Sequence, residues 1–260
     1  MTDEQPQTII VGTGGSSRPI SYLTEQPSKS GAASLFWLSG FMSDMASTKA
    51  SALADFARAN GLGCTRFDYS GHGRSGGDFK DGTVGRWLEE AATVFTCLTS
   101  GPQVIIGSSM GGHIALLLLR RLMSEKAAEA ARIKGIVLIA PAWDMTEELM
   151  WNKFPEAVRQ EIQSQGYHLR PSAYDAPYTI TRDLIEDGRK HLLARKPFAI
   201  PRPVIILQGL QDTDVPAAHT RELLSFLEGD VRLVEIADGE HRLSRPQDLE
   251  KLYRAVLDVI

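Results

Sequence analysis

Residues 107–112 read Gly-Ser-Ser-Met-Gly-Gly, directly after the apolar run Val104-Ile105-Ile106, and helical periodicity begins at once in His113-Ile114-Ala115-Leu116. A serine with small residues two before and two after it, at the junction of a strand and a helix, can be raised on a sharp turn that presents its hydroxyl above a sheet. Ser109 holds that middle position. Ser108 does not, because Ile106 stands two residues before it and its side chain crowds such a turn. A serine hydroxyl is a poor nucleophile near neutral pH, so the chemistry needs a histidine to take its proton and a buried carboxylate to orient that histidine.

The acid is sought at the end of a strand, where open α/β sheets place their ligands and reactive groups. After Pro203-Val204-Ile205-Ile206-Leu207 comes Gln208-Gly209-Leu210-Gln211-Asp212-Thr213-Asp214-Val215-Pro216, a loop before a helical stretch. Asp212 lies in the loop proper and is the preferred acid. Asp214, nearer Val215-Pro216, has the plainer role of capping the next helix. Asp144, beyond the strand that ends at Ala140, is the fallback. The base is His241, which follows the last strand in Ile236-Ala237-Asp238-Gly239-Glu240-His241-Arg242. The order serine, aspartate, histidine is that of α/β-hydrolases. His72 in a Gly-rich loop, His113 at a helix start, and His168, His191 and His219 elsewhere read as structural or solvated.

Acyl transfer also needs N–H donors aimed at the developing oxyanion. Met110, directly after the nucleophile, supplies one. The segment Ser39-Gly40-Phe41-Met42, after the strand Leu35-Phe36-Trp37-Leu38, supplies the other, best assigned to Phe41. The bland alternative for this segment is a strand-to-helix turn that uses Gly40 only for its conformation.

The elements that must position these groups follow from periodicity. Short apolar runs rich in β-branched residues predict strands at 20–23, 34–39, 64–68, 104–107, 136–140, 204–208 and 231–235, alternating with helical patterns at 47–60, 84–98, 111–124, 217–227 and 248–257. Strands joined by crossover helices make an α/β fold with a mostly parallel sheet. Residues 142–201 break the rhythm, since about sixty residues far exceed an ordinary αβ connection. They read as an inserted helical cap, with 1–141 and 202–260 forming the core. Helix-like pieces at 146–165, interrupted at Pro155, and at 181–195 flank a Tyr- and Pro-bearing stretch, 167–178. Met42, Trp143, Met145 and Trp151 are candidates to line an apolar acyl pocket; internal packing of the cap is the equal alternative.

Bulk properties narrow the class. With 260 residues, 43% of them apolar, the chain supports one sizeable core. A formal charge of −4, from 28 basic and 32 acidic residues without long runs of either sign, gives no footprint for nucleic acid or an anionic membrane. Two cysteines, Cys64 and Cys97, suggest neither a disulfide framework nor a metal site. No H-E-x-x-H or similar ligand spacing occurs, so no metal or other cofactor is expected. No apolar stretch approaches the roughly 20 residues that span a bilayer, and the polar start Met1-Thr2-Asp3-Glu4-Gln5-Pro6 has no signal-peptide character. The expectation is a cytoplasmic protein acting on a small-molecule or protein-borne acyl substrate.

Three further stretches, Leu38-Ser39-Gly40-Phe41-Met42-Ser43-Asp44-Met45, Thr48-Lys49-Ala50 and Arg66-Phe67-Asp68-Tyr69-Ser70-Gly71, accompany the Ser109 motif. Together with Gly209-Leu210-Gln211-Asp212 and Asp238-Gly239-Glu240-His241-Arg242 they resemble the α/β-hydrolase family that contains the mitochondrial palmitoyl-protein thioesterase, also called mycophenolic acid acyl-glucuronide esterase. The resemblance spans most of the chain and is weakest in the cap. It implies an α/β-hydrolase fold, Ser109, Asp212 and His241 as a triad, and S-deacylation of acylated cysteines or cleavage of acyl glucuronides. The leading expectation is therefore a serine esterase or thioesterase working through an acyl-enzyme. A peptidase or carbon–carbon hydrolase could use the same triad, and a non-catalytic ligand receptor is the alternative from another class.

Overall fold

The computed structural model describes residues 5–170 and 177–260. Two antiparallel strands, β1 (Gln7–Val11) and β2 (Arg18–Glu25), open the chain. Crossover units follow: β3 (Ser34–Leu38), α1 (Thr48–Ala59), β4 (Gly63–Phe67), α2 (Val84–Leu98), β5 (Gln103–Ser108), α3 (Met110–Glu125), the short α4 (Ala127–Ala131) and β6 (Ile133–Ile139). Residues 142–201, the stretch read above as an insertion and so called below, contribute α5 (Glu156–Gln165), a hairpin of β7 (Tyr167–Arg170) and β8 (Tyr178–Thr181), α6 (Arg182–Gly188) and β9 (Phe198–Ala199). The chain closes with β10 (Val204–Gly209), α7 (Ala217–Leu224), β11 (Leu227–Glu228), β12 (Val231–Ile236) and α8 (Pro246–Leu257).

The main sheet has eight strands in the order β1-β2-β4-β3-β5-β6-β10-β12. From β4 to β12 every pairing is parallel, and β2 meets β4 antiparallel. The α/β reading of the sequence holds. It overlooked β1, a strand whose Ile10 faces solvent at the sheet edge.

Period-two alternation splits the strands between two apolar layers. Leu35, Trp37, Val104 and Ile106 join Ala50, Leu53 and Ala57 of α1 and Leu252 and Val256 of α8 on one face. Phe36, Leu38 and Ile105 face the other way, against Trp87, Val94 and Phe95 of α2 and the Ile114–Leu119 stretch of α3. Because α3 is enclosed by sheet, α2 and the insertion, residues 110–119 are all buried. Each fully buried Leu or Phe stabilises by about 1.5–3 kcal/mol relative to exposure. The crossovers thereby deliver the C-terminal ends of β3, β5, β10 and β12 to one edge of the sheet.

The insertion departs from two long helices. Pro155, which has no N–H to give a helix ladder, separates a π-helical turn (Thr146–Met150) and a 3₁₀ turn (Trp151–Lys153) from α5. Gly166, at φ +88°, ends α5 in the left-handed region and turns the chain into β7. Residues 171–176, the middle of the Tyr- and Pro-bearing stretch, lie outside the described residues. The helix expected over 181–195 ends at Gly188. The N–H groups of Leu193 and Ala194 go instead to the Asp144 carboxylate, at 2.7 and 2.9 Å, and Ala194 and Arg195 both take positive φ. The pattern at 217–227 likewise stops at Leu224, because Leu227–Glu228 pairs with β9.

Asp144 therefore fastens the return of the insertion to the core. Replacing it with Ala, at a position of φ +46°, orphans the buried Leu193 N–H and the partly buried Ala194 N–H, which costs about 2 kcal/mol. Asp144→Ala is expected to lower Tm by about 5 °C, readable by differential scanning calorimetry; Asp144→Asn, which keeps one acceptor, should fall less. Among the described residues no helix is long and apolar enough to cross a membrane.

Candidate active site

Ser109 stands between β5 and α3 with φ 54° and ψ −118°, a conformation that costs a non-glycine residue about 1–3 kcal/mol. The glycines around it explain how the turn is tolerated. A Cβ on Gly107 would strike the carbonyl of Gly111, and one on Gly111 would strike the Leu38 carbonyl at the end of β3. A Cβ on Gly112 would sit 2.8 Å from Pro141 Cβ. The strain is opposed by backbone bonds: Ser109 N–H donates to Ile139 O at 2.8 Å, and Ser109 O accepts from Gly112 and Ala142 at 2.9 and 3.0 Å.

His241 comes to this serine from the loop after β12. Its Nε2 lies 3.1 Å from Ser109 Oγ, and its Nδ1 lies 2.7 Å from Asp212 Oδ2. A carboxylate only accepts, so Nδ1 carries the proton and Nε2 is left to receive the Ser109 O–H. The imidazole is one-quarter exposed while the Asp212 side chain is fully buried. Asp212 Oδ1 accepts the N–H groups of Asp214 and Val215 at 2.9 and 2.8 Å, which fixes the carboxylate plane.

Asp212 is thus the acid the imidazole meets, while Asp144 is committed to the insertion. Asp214 contributes its backbone N–H to Asp212, and its side chain makes no capping bond at the start of α7. Gln208 shapes the acid loop from beneath. Its amide donates to Val215 O at 3.0 Å and to Gly209 O at 2.9 Å, and its carbonyl accepts the Thr220 hydroxyl at 2.6 Å. A Cβ on Gly209 would run into Gly239 O, so glycine lets the acid and histidine loops touch through backbone alone.

Sequence reasoning passed over Lys49. Its ammonium, on the first turn of α1, donates to the carbonyl of Arg242, the residue after His241. Burial lowers its pKa to about 8, the neighbouring Arg242 adds to the drop, and Asp248 and Asp212 oppose it. The only signal in the sequence was the Thr48-Lys49-Ala50 stretch, read for resemblance and not for contact.

The oxyanion candidates lie against Ser109. Met110 is the first residue of α3 and is buried. Gly40 packs so closely that a Cβ there would come within 3.4 Å of both Ser109 Cβ and Ser108 O, which lays the Gly40–Phe41 peptide beside the serine. The Phe41 ring meets Phe79, Trp87 and Tyr178 edge-on, with centroids 5.0, 6.0 and 5.8 Å away, so the insertion touches the oxyanion loop through Tyr178.

The four proposed pocket residues fall in different surroundings. Met42 is 41% exposed. Trp143 is wholly buried, stacked on His219 at 4.5 Å with its N–H given to the His219 carbonyl, and Met145 is buried as well. Trp151 is half-buried beneath the guanidinium groups of Arg159 and Arg189. Trp143 is therefore a packing residue at the base of the insertion, where ring stacking and its N–H bond use up its surface. A cavity of about 430 Å³ opens between the β7–β8 hairpin and Lys80, and Ser109, Asp212 and His241 do not line it.

Asp212, Asp214 and His241 also bring one ligand atom each within 4.8 Å of one another. Asp212 there already accepts two backbone N–H groups and the imidazole Nδ1–H, so these atoms are engaged in the hydrogen bonding that orients His241.

Comparison with known proteins adds to this geometry. A family model described as the alpha/beta hydrolase family matches residues 30–252. The human mitochondrial palmitoyl-protein thioesterase ABHD10 is 28% identical over 229 residues, covering 87% of this chain and 72% of that protein. A solved structure from Agrobacterium vitis S4 is 41% identical and superposes with a TM-score of 0.95 over 98% of both chains. Mouse alpha/beta hydrolase domain-containing protein 10, at 24% identity, shares the fold with a TM-score of 0.82 over 98% of this chain and 97% of its own.

Proposed function

This chain belongs to the alpha/beta hydrolase family, and from that premise we propose that it is a serine hydrolase that cleaves acyl esters or thioesters through an acyl-enzyme on Ser109. The observation that carries the proposal is the unbroken hydrogen-bond path from Ser109 Oγ through His241 to buried Asp212. In the first half-reaction, Ser109 Oγ attacks the acyl carbonyl while His241 Nε2 takes its proton. Asp212 holds the resulting imidazolium in place through Nδ1–H. The carbonyl oxygen becomes an oxyanion, which the N–H groups of Phe41 and Met110 stabilise by up to several kcal/mol. Collapse expels the alcohol or thiol, which takes the proton from Nε2. Water then repeats the sequence: His241 takes its proton as the oxygen attacks the acyl carbonyl, and collapse releases the acid while Ser109 Oγ takes the proton back from Nε2.

Thioesters enter the proposed substrate class because a curated relative is named as a palmitoyl-protein thioesterase. The test is covalent. A fluorophosphonate should label the protein at Ser109, as located by peptide mass spectrometry, and labelling should abolish turnover of p-nitrophenyl and S-acyl substrates alike. A series of acyl esters from two to sixteen carbons then reads the acyl preference. Absence of labelling at Ser109 in folded protein overturns the proposal.

A further inference from the structure

The loop that carries Phe41 is braced from the neighbouring strand end by residues outside the triad. Met42 has φ +54°, a left-handed conformation that methionine holds only with support from its surroundings. Its N–H donates to His72 Nε2 at 3.2 Å. Three residues on, Met45 N–H donates to Asp68 Oδ1 at 2.6 Å, and the Met45 carbonyl accepts from Arg66 Nη1 at 3.0 Å. All three partners lie on β4 or in the loop after it.

His72 is itself fixed on every side. Its Nδ1 lies 3.1 Å from the Ser70 carbonyl, which can only accept, so Nδ1 bears the proton and Nε2 keeps a lone pair for Met42. Ser70 in turn gives its N–H and its hydroxyl to Glu90 at 2.9 and 2.7 Å, and Arg18 Nε binds Glu90 at 2.5 Å. Tyr69, Phe79 and Trp87 enclose the ring, with centroids between 5.1 and 5.9 Å away. Burial lowers the His72 pKa against the opposing pull of the Ser70 carbonyl and Asp44. The flanking glycines are required: a Cβ on Gly71, at φ +73°, would lie 2.5 Å from Phe79 Cα, and one on Gly73, at φ +48°, would enter the Asp68 carboxylate.

We propose that His72 is a positioning residue for the oxyanion hole: by accepting the Met42 N–H it fixes the preceding Phe41 N–H beside Ser109. The effect on rate rests on the serine-hydrolase reading, whereas the hydrogen bond does not. A donor helps the transition state only when it is aimed before charge develops, so a loop free to turn by a fraction of an ångström loses much of that help.

The test uses His72→Phe, which keeps a ring among Tyr69, Phe79 and Trp87 and removes both nitrogens, beside His72→Gln, whose carbonyl can accept the Met42 N–H. With p-nitrophenyl butyrate, His72→Phe should lower kcat by about tenfold with KM within about twofold, a partial loss of one oxyanion donor. It should also speed amide exchange across residues 41–45. His72→Gln should recover most of the kcat and the slow exchange. Unchanged kcat and exchange in His72→Phe, or a loss confined to Tm and KM, overturns the proposal. The wild-type protein decides even where His72→Phe does not fold: long-range ¹H–¹⁵N spectra at pH 7 must show His72 protonated at Nδ1, and protonation at Nε2 overturns it. If the wild type hydrolyses nothing, the function fails while exchange and tautomer still judge the brace.

Discussion

Ser109→Ala is expected to lower kcat for p-nitrophenyl butyrate by at least about 10⁴-fold while leaving the fold intact. On the proposed mechanism, removing Oγ takes away the atom that carries the acyl group, so the remaining rate is whatever substrate binding and the oxyanion donors supply for direct attack by water. The structural cost is small because alanine occupies the same strained φ, and Ile139, Gly112 and Ala142 bond to the backbone and not to the side chain. The packing of Gly40 is against Ser109 Cβ, which alanine retains. The lost bond to His241, 3.1 Å long and partly exposed, contributes about 1 kcal/mol. Far-UV circular dichroism should match the wild type, and Tm should move by no more than about 4 °C. Turnover within tenfold of wild type in that folded variant would remove Ser109 from the chemistry.

The parts of the site that were legible in the sequence are those whose chemistry is local. The elbow could be read because Gly107, Gly111 and Gly112 each answer a backbone collision within a few residues or at an adjacent strand end. Asp212 and His241 could be placed because each follows a β-branched run, and strand ends in this fold share one edge. What stayed hidden depends on contacts between loops distant in sequence. Lys49 meets Arg242 across 193 residues, and His72 meets Met42 across 30. Nothing in a Gly-rich loop tells a bracing histidine from a solvated one. The insertion was hardest because its helices end for tertiary reasons. The Asp144 carboxylate draws the Leu193 and Ala194 amides out of a helix whose local pattern would have carried it on. Trp143 had the composition of a pocket wall, yet His219 stacks on its ring, the Arg195 guanidinium lies over it and Phe226 meets it edge-on.

Lowering the pH from 7 to 5 is expected to cost the folded protein about 2–4 kcal/mol, through one buried and one half-buried histidine held in the neutral form beneath the insertion. His113 is enclosed on the first turns of α3, and its Nδ1 accepts the Asp144 N–H at 3.2 Å, so protonation would set two donors face to face. Burial, with Arg120, His191 and His219 adding to it, brings its pKa to about 3. The Asp144 carboxylate, 3.8 Å away, favours the cation, but it is itself buried and spent on two backbone amides, so burial prevails. His219 donates from Nε2 to the Trp143 carbonyl at 3.0 Å, and burial lowers its pKa to about 4 against the pull of that carbonyl, Glu148 and Glu222. Both folded values lie below the unfolded value near 6.5. The unfolded chain therefore binds more protons as pH falls through 6.5, and stability that is complete above that point declines toward 4 and 3. Buried Asp68, Glu90 and Asp144 have raised values and act in the opposite direction, since the folded state takes up their protons first. Their proton uptake offsets part of the loss, so a variant that removes one histidine reads the histidines' own share. Urea unfolding at pH 7 and pH 5 reads the difference. His113→Asn, whose carbonyl can accept the Asp144 N–H without titrating, should flatten the dependence by about half; an unaltered slope in that variant would remove His113 from the linkage.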